Sequence, residues 1–199
     1  MEENAHKQGA FHIISLPELS GYDGVILMRN SIQYPKEAEK LLSRIRESGV
    51  PAVSIDAKEK GLSFVGIDSY TAQKNLVEHL ISVHHNKTIY YVTGLLSDLE
   101  ARERLQGYYD AMNRAGLQIS DQWVFNGYYD SDSGKRAVDF FLEQSEELPD
   151  AIVCANDAMA FGAIMRLREK GYLVPQDLIV TGFDNDRMSE NFVPALFLG

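Results

Sequence analysis

The chain has 199 residues, 45% of them hydrophobic and 24% charged, and a formal net charge of −10. That composition suits a globular chain and is too acidic for a surface that grips nucleic-acid phosphates or anionic lipid. No apolar run approaches the ~18 residues that span a bilayer, one cysteine (Cys154) rules out an internal disulfide, and the polar opening MEENAHKQGA has no apolar signal region behind it, so a cytoplasmic, non-exported chain is expected.

In chain order, short β-branched or apolar runs recur. FHIISL (11–16), GVILM (24–28), AVSID (52–56) and FVGID (64–68) come first, followed by TIYYVTG (88–94), WVFNGYY (123–129), AIVCAN (151–156) and LIVTGF (178–183). Only AKEKGLS separates the strands at 52–56 and 64–68, which is too short for a helix and implies an edge connection or a crossover into a second lobe. Helical periodicity then fills the gaps. SYTAQKNLVEHLISV places Leu76, Val77, Leu80 and Ile81 on one face. SDLEARERLQGYYDAMNRAG opens with Ser97 and Glu100 at capping-box spacing, carries Ala101, Leu105, Tyr108, Met112 and Ala115 on one stripe, and ends at Gly116. DAMAFGAIMRLREKG repeats the plan, with Asp157 as a candidate cap and Gly171 at its end.

Strands apolar on both faces, alternating with helices, predict mostly parallel sheet covered on both sides. From residue 88 the strands begin at 88, 123, 151 and 178, a regular βα rhythm that the first half lacks. The change predicts two sheets, with His84 to Lys87 as the crossing between them. In open parallel sheets ligands bind beyond the carboxyl ends of the strands. Those ends read Asp68–Ser69, Gly94 to Asp98, Gly127 to Asp130, Asn156–Asp157 and Asp184 to Asp186, so several polar clusters converge on one rim.

Catalytic motifs find little support on that rim. The sequence has neither a phosphate-cradling G-x-x-x-x-G-K-[ST] nor a G-x-G-x-x-G after a strand, and it has no G-x-S-x-G elbow. Cys154 sits inside an apolar strand, where a packed, inert thiol is the simpler reading. No cysteine or carboxylate cluster completes a ligand set near His79, His84 and His85, so no metal or other cofactor is expected. An arginine beside an aspartate and an amide instead makes a hydrogen-bonding frame suited to a hydroxyl-rich ligand, with an aromatic ring to cover its apolar face.

The segments GVPAVSID, HLI, RLQGYYDAMNRAGL, PDAIVCANDAMAFGAIMRLREKGYLVPQDLIVTGFDN and NFVPAL, taken in order, resemble the effector-binding domain of lactose-repressor/galactose-repressor (LacI/GalR-like) transcription regulators. The similarity runs from about residue 22 to 197, and the ANDAMAFG…VP…GFD stretch is its most specific part. The resemblance implies an α/β fold of two doubly wound parallel-sheet lobes, periplasmic-binding-protein-like type I, that closes on a small ligand and is here partial. It divides the chain into an incomplete N-terminal lobe (1–86), a C-terminal lobe (87–192) and a start of the crossover back to the first lobe (193–199). It further implies a non-enzymatic sensor of a sugar- or nucleoside-like effector, dimeric when complete. DNA binding, or a signalling output, would come from segments outside this chain. No membrane partner is implied.

Position by position, the resemblance marks Arg104, Asp184 and Asn156 as ligand contacts, Tyr129 as the covering ring and Asp68 as a further contact. Local alternatives stay open for three of them. Arg104 is placed to pair with Glu100 one turn earlier on the surface, Asn156 to cap a helix, and Tyr129 to fill core. HLISVHHNKTI departs from the family's glycine-containing turn, as in a divergent branch, and FLG (197–199) replaces a Thr-rich strand. The competing functional reading is an α/β enzyme acting on a small polar metabolite at the same rim, and a third is a scaffold that has lost its ligand.

Overall fold

The computed structural model describes residues 18–187 apart from Gln33, Asp56 and Glu146, together with residues 197–198. The strand expected at 11–16 and the NFVPAL segment (191–196) lie outside the described residues. The chain forms two compact units, Met1–Gly66 and Ile67–Gly199.

In the first unit, β1 (Val25–Met28), β2 (Ala52–Ile55) and β3 (Ser63–Val65) form a parallel sheet in the order β1-β2-β3. Helix α1 (Pro35–Ser48) begins at a proline, whose missing N–H costs nothing in a first turn, and stops at Gly49, whose φ of 69° is open to glycine. Its Ala38, Leu42 and Ile45 recur at helical spacing and are buried, and the last two pack with Leu19 and Leu27. β2 and β3 are neighbours joined by residues 56–62 without a helix, so of the two alternatives the edge connection is realised.

The second unit runs α2 (Ser69–Ser82), β4 (Ile89–Thr93), α3 (Leu99–Arg114), β5 (Val124–Asn126), α4 (Ser131–Gln144), β6 (Ala151–Cys154), α5 (Asp157–Glu169), β7 (Ile179–Gly182) and β8 (Phe197–Leu198). Its five strands are all parallel, in the order β5-β4-β6-β7-β8. Every residue of β4 and β6 is buried, because α2 packs on α3 and α4 packs on α5 to cover the sheet. The order places a topological switch point between β4 and β6. The chain leaves β4 toward β5 on one side and leaves β6 toward β7 on the other, opening a crevice at their carboxyl ends.

Several expectations shift. The division falls between Gly66 and Ile67, not at residue 86, because α2 buries Leu76, Val77 and Leu80 in the core of the second unit. Within the segment expected to begin a crossover, Phe197 and Leu198 pair with Thr181 and Gly182 as the fifth strand of the second sheet. The N-cap position of α3 is Asp98, in extended conformation and without a side-chain capping bond, in place of a Ser97–Glu100 box, and the Ser97 hydroxyl donates to Asp98 instead. Its buried stripe is Ala101, Arg104, Gly107, Tyr108, Ala111 and Met112, which leaves Ala115 exposed. α5 is capped by Asn156, one residue before the expected Asp157. Among the described residues no helix is long and apolar enough to cross a membrane.

Candidate functional site

Arg104 lies in the second turn of α3, the helix that leaves β4, and points back over the carboxyl ends of the sheet. It is only 3% exposed. A buried guanidinium needs partners for its donors, since desolvation is otherwise unpaid. Here its Nε donates to the Ser69 hydroxyl at 3.3 Å, one terminal nitrogen donates to the Ala155 carbonyl at the end of β6, and the other donates to Glu100 at 3.2 Å. The Glu100 pair expected at the surface therefore exists, but its arginine is buried. The Asp184 carboxylate, just beyond β7, sits 3.6 Å from the same guanidinium, which also stacks 3.8 Å from the centre of the Phe183 ring.

Asp184 is the outward-facing member of this group, its side chain 47% exposed. Its backbone has φ of 104° and Asn185 follows at 55°, two consecutive non-glycine residues in the left-handed half of conformational space. Burial raises the Asp184 carboxyl above its ordinary range, and Arg104 opposes the shift. Asp186 and Arg187 are exposed. The Asp186 amide donates back to the buried Asp157 carboxylate at 2.7 Å.

Asn156 and Tyr129 are tied together. The Asn156 side-chain oxygen caps α5 by accepting from the Met159 amide at 3.0 Å, while its nitrogen donates to the Tyr129 carbonyl at 3.1 Å. Tyr129 has φ of 63° and its ring lies against Gly94, where any Cβ would collide with the phenol. Burial pushes that phenol up to about 12, partly offset by Arg104. The ring thus forms a wall packed on the β4 end. Asp68 caps α2, its carboxylate accepting from the Thr71 amide at 3.0 Å, which holds it below the ordinary carboxylate range. Its neighbour Ser69, not Asp68, reaches Arg104.

Arg104 and Asp184 are thus in direct contact, with Asn156 and Tyr129 at adjoining strand ends, while Asp68 serves its helix. Sequence reasoning missed Ser69, Phe183 and Asp157. Phe183 was legible as the last apolar residue before Asp184. Ser69 and Asp157 are set by tertiary packing, and only their places at strand-to-helix junctions hinted at them. Cys154 is buried, and burial raises its thiol, in keeping with a packed residue. Among the described residues no cluster of histidine, cysteine and carboxylates could hold a metal ion.

Comparison with known proteins fits this geometry. The family described as periplasmic binding proteins and sugar binding domain of LacI family matches residues 1–195. The HTH-type transcriptional repressor PurR of Pasteurella multocida is 32% identical over 176 residues, covering 87% of this chain and 51% of the relative. Catabolite control protein A of Priestia megaterium is 34% identical over 178 residues, again 87% and 51%. The chain therefore spans about half the length of the curated relatives it matches. Among solved structures, a LacI-family sugar-binding transcriptional regulator from Escherichia coli complexed with phosphate superposes with a TM-score of 0.77 at 28% identity, covering 88% of this chain and 62% of that one. A transcriptional regulator CelR–cellobiose complex does so with a TM-score of 0.77 at 29% identity, covering 90% and 55%. A family match across nearly the whole chain, together with doubly wound parallel sheets, makes this chain a member of the family of periplasmic binding proteins and sugar-binding domains of the LacI family.

Proposed function

We propose that this chain is the effector-binding sensor of a transcription regulator, and that it binds an uncharged, hydroxyl- or amide-rich small molecule of the sugar or nucleoside kind. Its two compact units act as the two lobes of that sensor. Arg104, Asp184 and Asn156 supply the polar frame, and Tyr129 supplies the ring that covers an apolar ligand face. Asp68 takes the lesser role of holding α2, through which Ser69 meets Arg104. The observation that carries the reading is the Arg104–Asp184 pair at the switch point, with a buried cation anchored on three sides and a half-exposed acceptor.

The chemistry of the pair selects the ligand class. Ser69, Ala155 and Glu100 already engage the guanidinium, so it serves as a rigid frame and not as an open anion receptor. Asp184 offers carboxylate oxygens to hydroxyl or N–H donors, and paired sugar hydroxyls match that offer. Cellobiose in the structurally similar CelR complex supports a saccharide ligand. The relative from Pasteurella multocida is an HTH-type transcriptional repressor, which supports a regulatory role without catalysis; on this reading the sensor works in the cytoplasm as a homodimer. With a net charge of −10, any DNA affinity of the whole protein resides in segments other than this chain.

A thermal-shift screen of sugars, nucleosides and purines tests the proposal. A ligand of the right class raises the melting temperature saturably, following RT ln(1 + [L]/Kd), without being consumed. Turnover of the stabilising compound would favour the enzyme reading. Silence across the library would favour the scaffold.

A further inference from the structure

Asp157 occupies the first position of α5 and is 1% exposed. Asn156 already caps that helix, so the Asp157 carboxylate is not needed for the cap. A negative charge there is favoured by the helix dipole, but that interaction requires neither burial nor a partner elsewhere in the chain. Asp157 has both. One carboxylate oxygen accepts from the amide of Asp186, 29 residues on, at 2.7 Å. That amide closes the turn in which Asp184 and Asn185 adopt φ of 104° and 55°. Asn accepts a φ near 55° readily, but the wider angle at Asp184 is held only where the surroundings fix it.

We infer that Asp157 is a positioning residue for the ligand site: by pinning the Asp186 amide to the start of α5, it holds the Asp184 turn so that the Asp184 carboxylate faces Arg104. The inference rests on the reading of Arg104 and Asp184 as the ligand frame, and it assigns the geometry of that frame to a buried residue outside it. The strut links two neighbouring strand ends, since β6 feeds α5 and β7 feeds the turn. Arg104 touches both, through the Ala155 carbonyl and through Asp184. Loss of the strut frees the turn to leave its left-handed conformation, and Asp184 then swings away from the guanidinium.

Nuclear magnetic resonance on the unliganded 199-residue chain tests this with Asp157→Ala, Asp157→Asn and Asp184→Ala. Asp157→Ala should speed exchange of the Asp186 amide by about ten- to a hundredfold, the range for losing a hydrogen bond to a charged acceptor, while amides of β4, β6 and β7 keep their protection. The Arg104 Nε–H resonance should move in Asp157→Ala as it does in Asp184→Ala, since both take the carboxylate from the guanidinium. Asp157→Asn retains an acceptor oxygen and should restore both signals. Should Asp157→Ala not fold, Asp157→Ser carries the same expectation, because its shorter hydroxyl suits a helix start but falls short of the Asp186 amide. Unchanged Asp186 exchange, an Arg104 signal that stays at its wild-type position, or protection lost equally through β4 to β7 would each overturn the inference. None of these signals needs a ligand, so their failure leaves the ligand-site reading standing, and a barren ligand screen leaves the turn result standing.

Discussion

Asp184 and Arg104 touch, yet the two should respond to mutation in opposite ways. Asp184 is half exposed and its carboxyl is raised above the ordinary 3.8, chiefly by burial. A carboxyl raised in the native state favours the fold below the unfolded value, and that contribution is lost as pH rises through the native one. At neutral pH the ionised group therefore costs stability. Asp184→Asn should leave unliganded stability unchanged within about 0.5 kcal/mol, or raise it, while abolishing ligand-dependent stabilisation in a melting series. In the wild type, ligand stabilisation should be complete at neutral pH and decline on acidification through a value above 3.8. The Asn variant should show no such dependence. Arg104→Lys, by contrast, places one compact ammonium where a fork serves Ser69, Ala155, Glu100 and Asp184. It should cost about 2–4 kcal/mol in urea denaturation even without ligand, because buried acceptors are left unpaired.

At the scale of elements, α4 and α5 lie so close that their glycines have become part of the contact. A Cβ on Gly162 would strike the Ser131 carbonyl, and one on Gly134 would strike the Met159 carbonyl. Backbone atoms cannot step aside as a flexible side chain can. Gly162→Ala should therefore push the helices apart and cost about 1–3 kcal/mol, read as a melting decrease of about 2–4 °C per kcal/mol. Since α5 carries Asn156 and Asp157 at its start, the same substitution should also weaken ligand stabilisation beyond what the lower melting temperature accounts for. Gly94 plays a comparable part at the rim, where its bare backbone admits the Tyr129 ring. Gly94→Ala should displace that ring and reduce ligand stabilisation with a smaller effect on the unliganded fold.

At the scale of the whole molecule, the two units differ in the core each holds. The first packs Leu19, Leu27, Leu42 and Ile45 together, and leaves Ile26 at 74% and Met28 at 55% exposed on the other face of β1. The second buries both faces of β4 and β6 within a far larger cluster. Area removed from water sets the stabilisation, so the first unit should open at lower urea. Leu42→Ala, at a fully buried position, should cost about 2–5 kcal/mol there. Hydrogen exchange should then show residues 18–66 losing protection first. Fluorescence of the single tryptophan, Trp123, which packs against the second core, should keep its wild-type transition. A common transition for both probes would mean that the two units unfold as one.

The sequence alone determined the layered plan. Apolar runs such as IYYVT and AIVC, alternating with stripes such as Leu76, Val77 and Leu80, admit little besides parallel strands covered by helices, because burial on both faces and 3.6-residue periodicity are local properties of composition. It also determined where polar groups gather, since the runs that become β6 and β7 read almost directly into Asn156, Asp157 and Asp184. Local pattern misassigned what depends on which element packs where. α2 shows the same amphipathic face whichever sheet it covers, and only its packing on α3 placed the division at Gly66 and not at residue 86. Residues 197–198 pair with β7, a register between residues far apart in sequence that local pattern does not show. From its local spacing alone Arg104 read better as a surface partner of Glu100, and its burial beside Ser69 and Ala155, contributed by two other elements, is a product of the tertiary structure. Asp157 gave no signal of its own beyond its place after Asn156, because its partner, the Asp186 amide, is brought to it only when β6 and β7 pair.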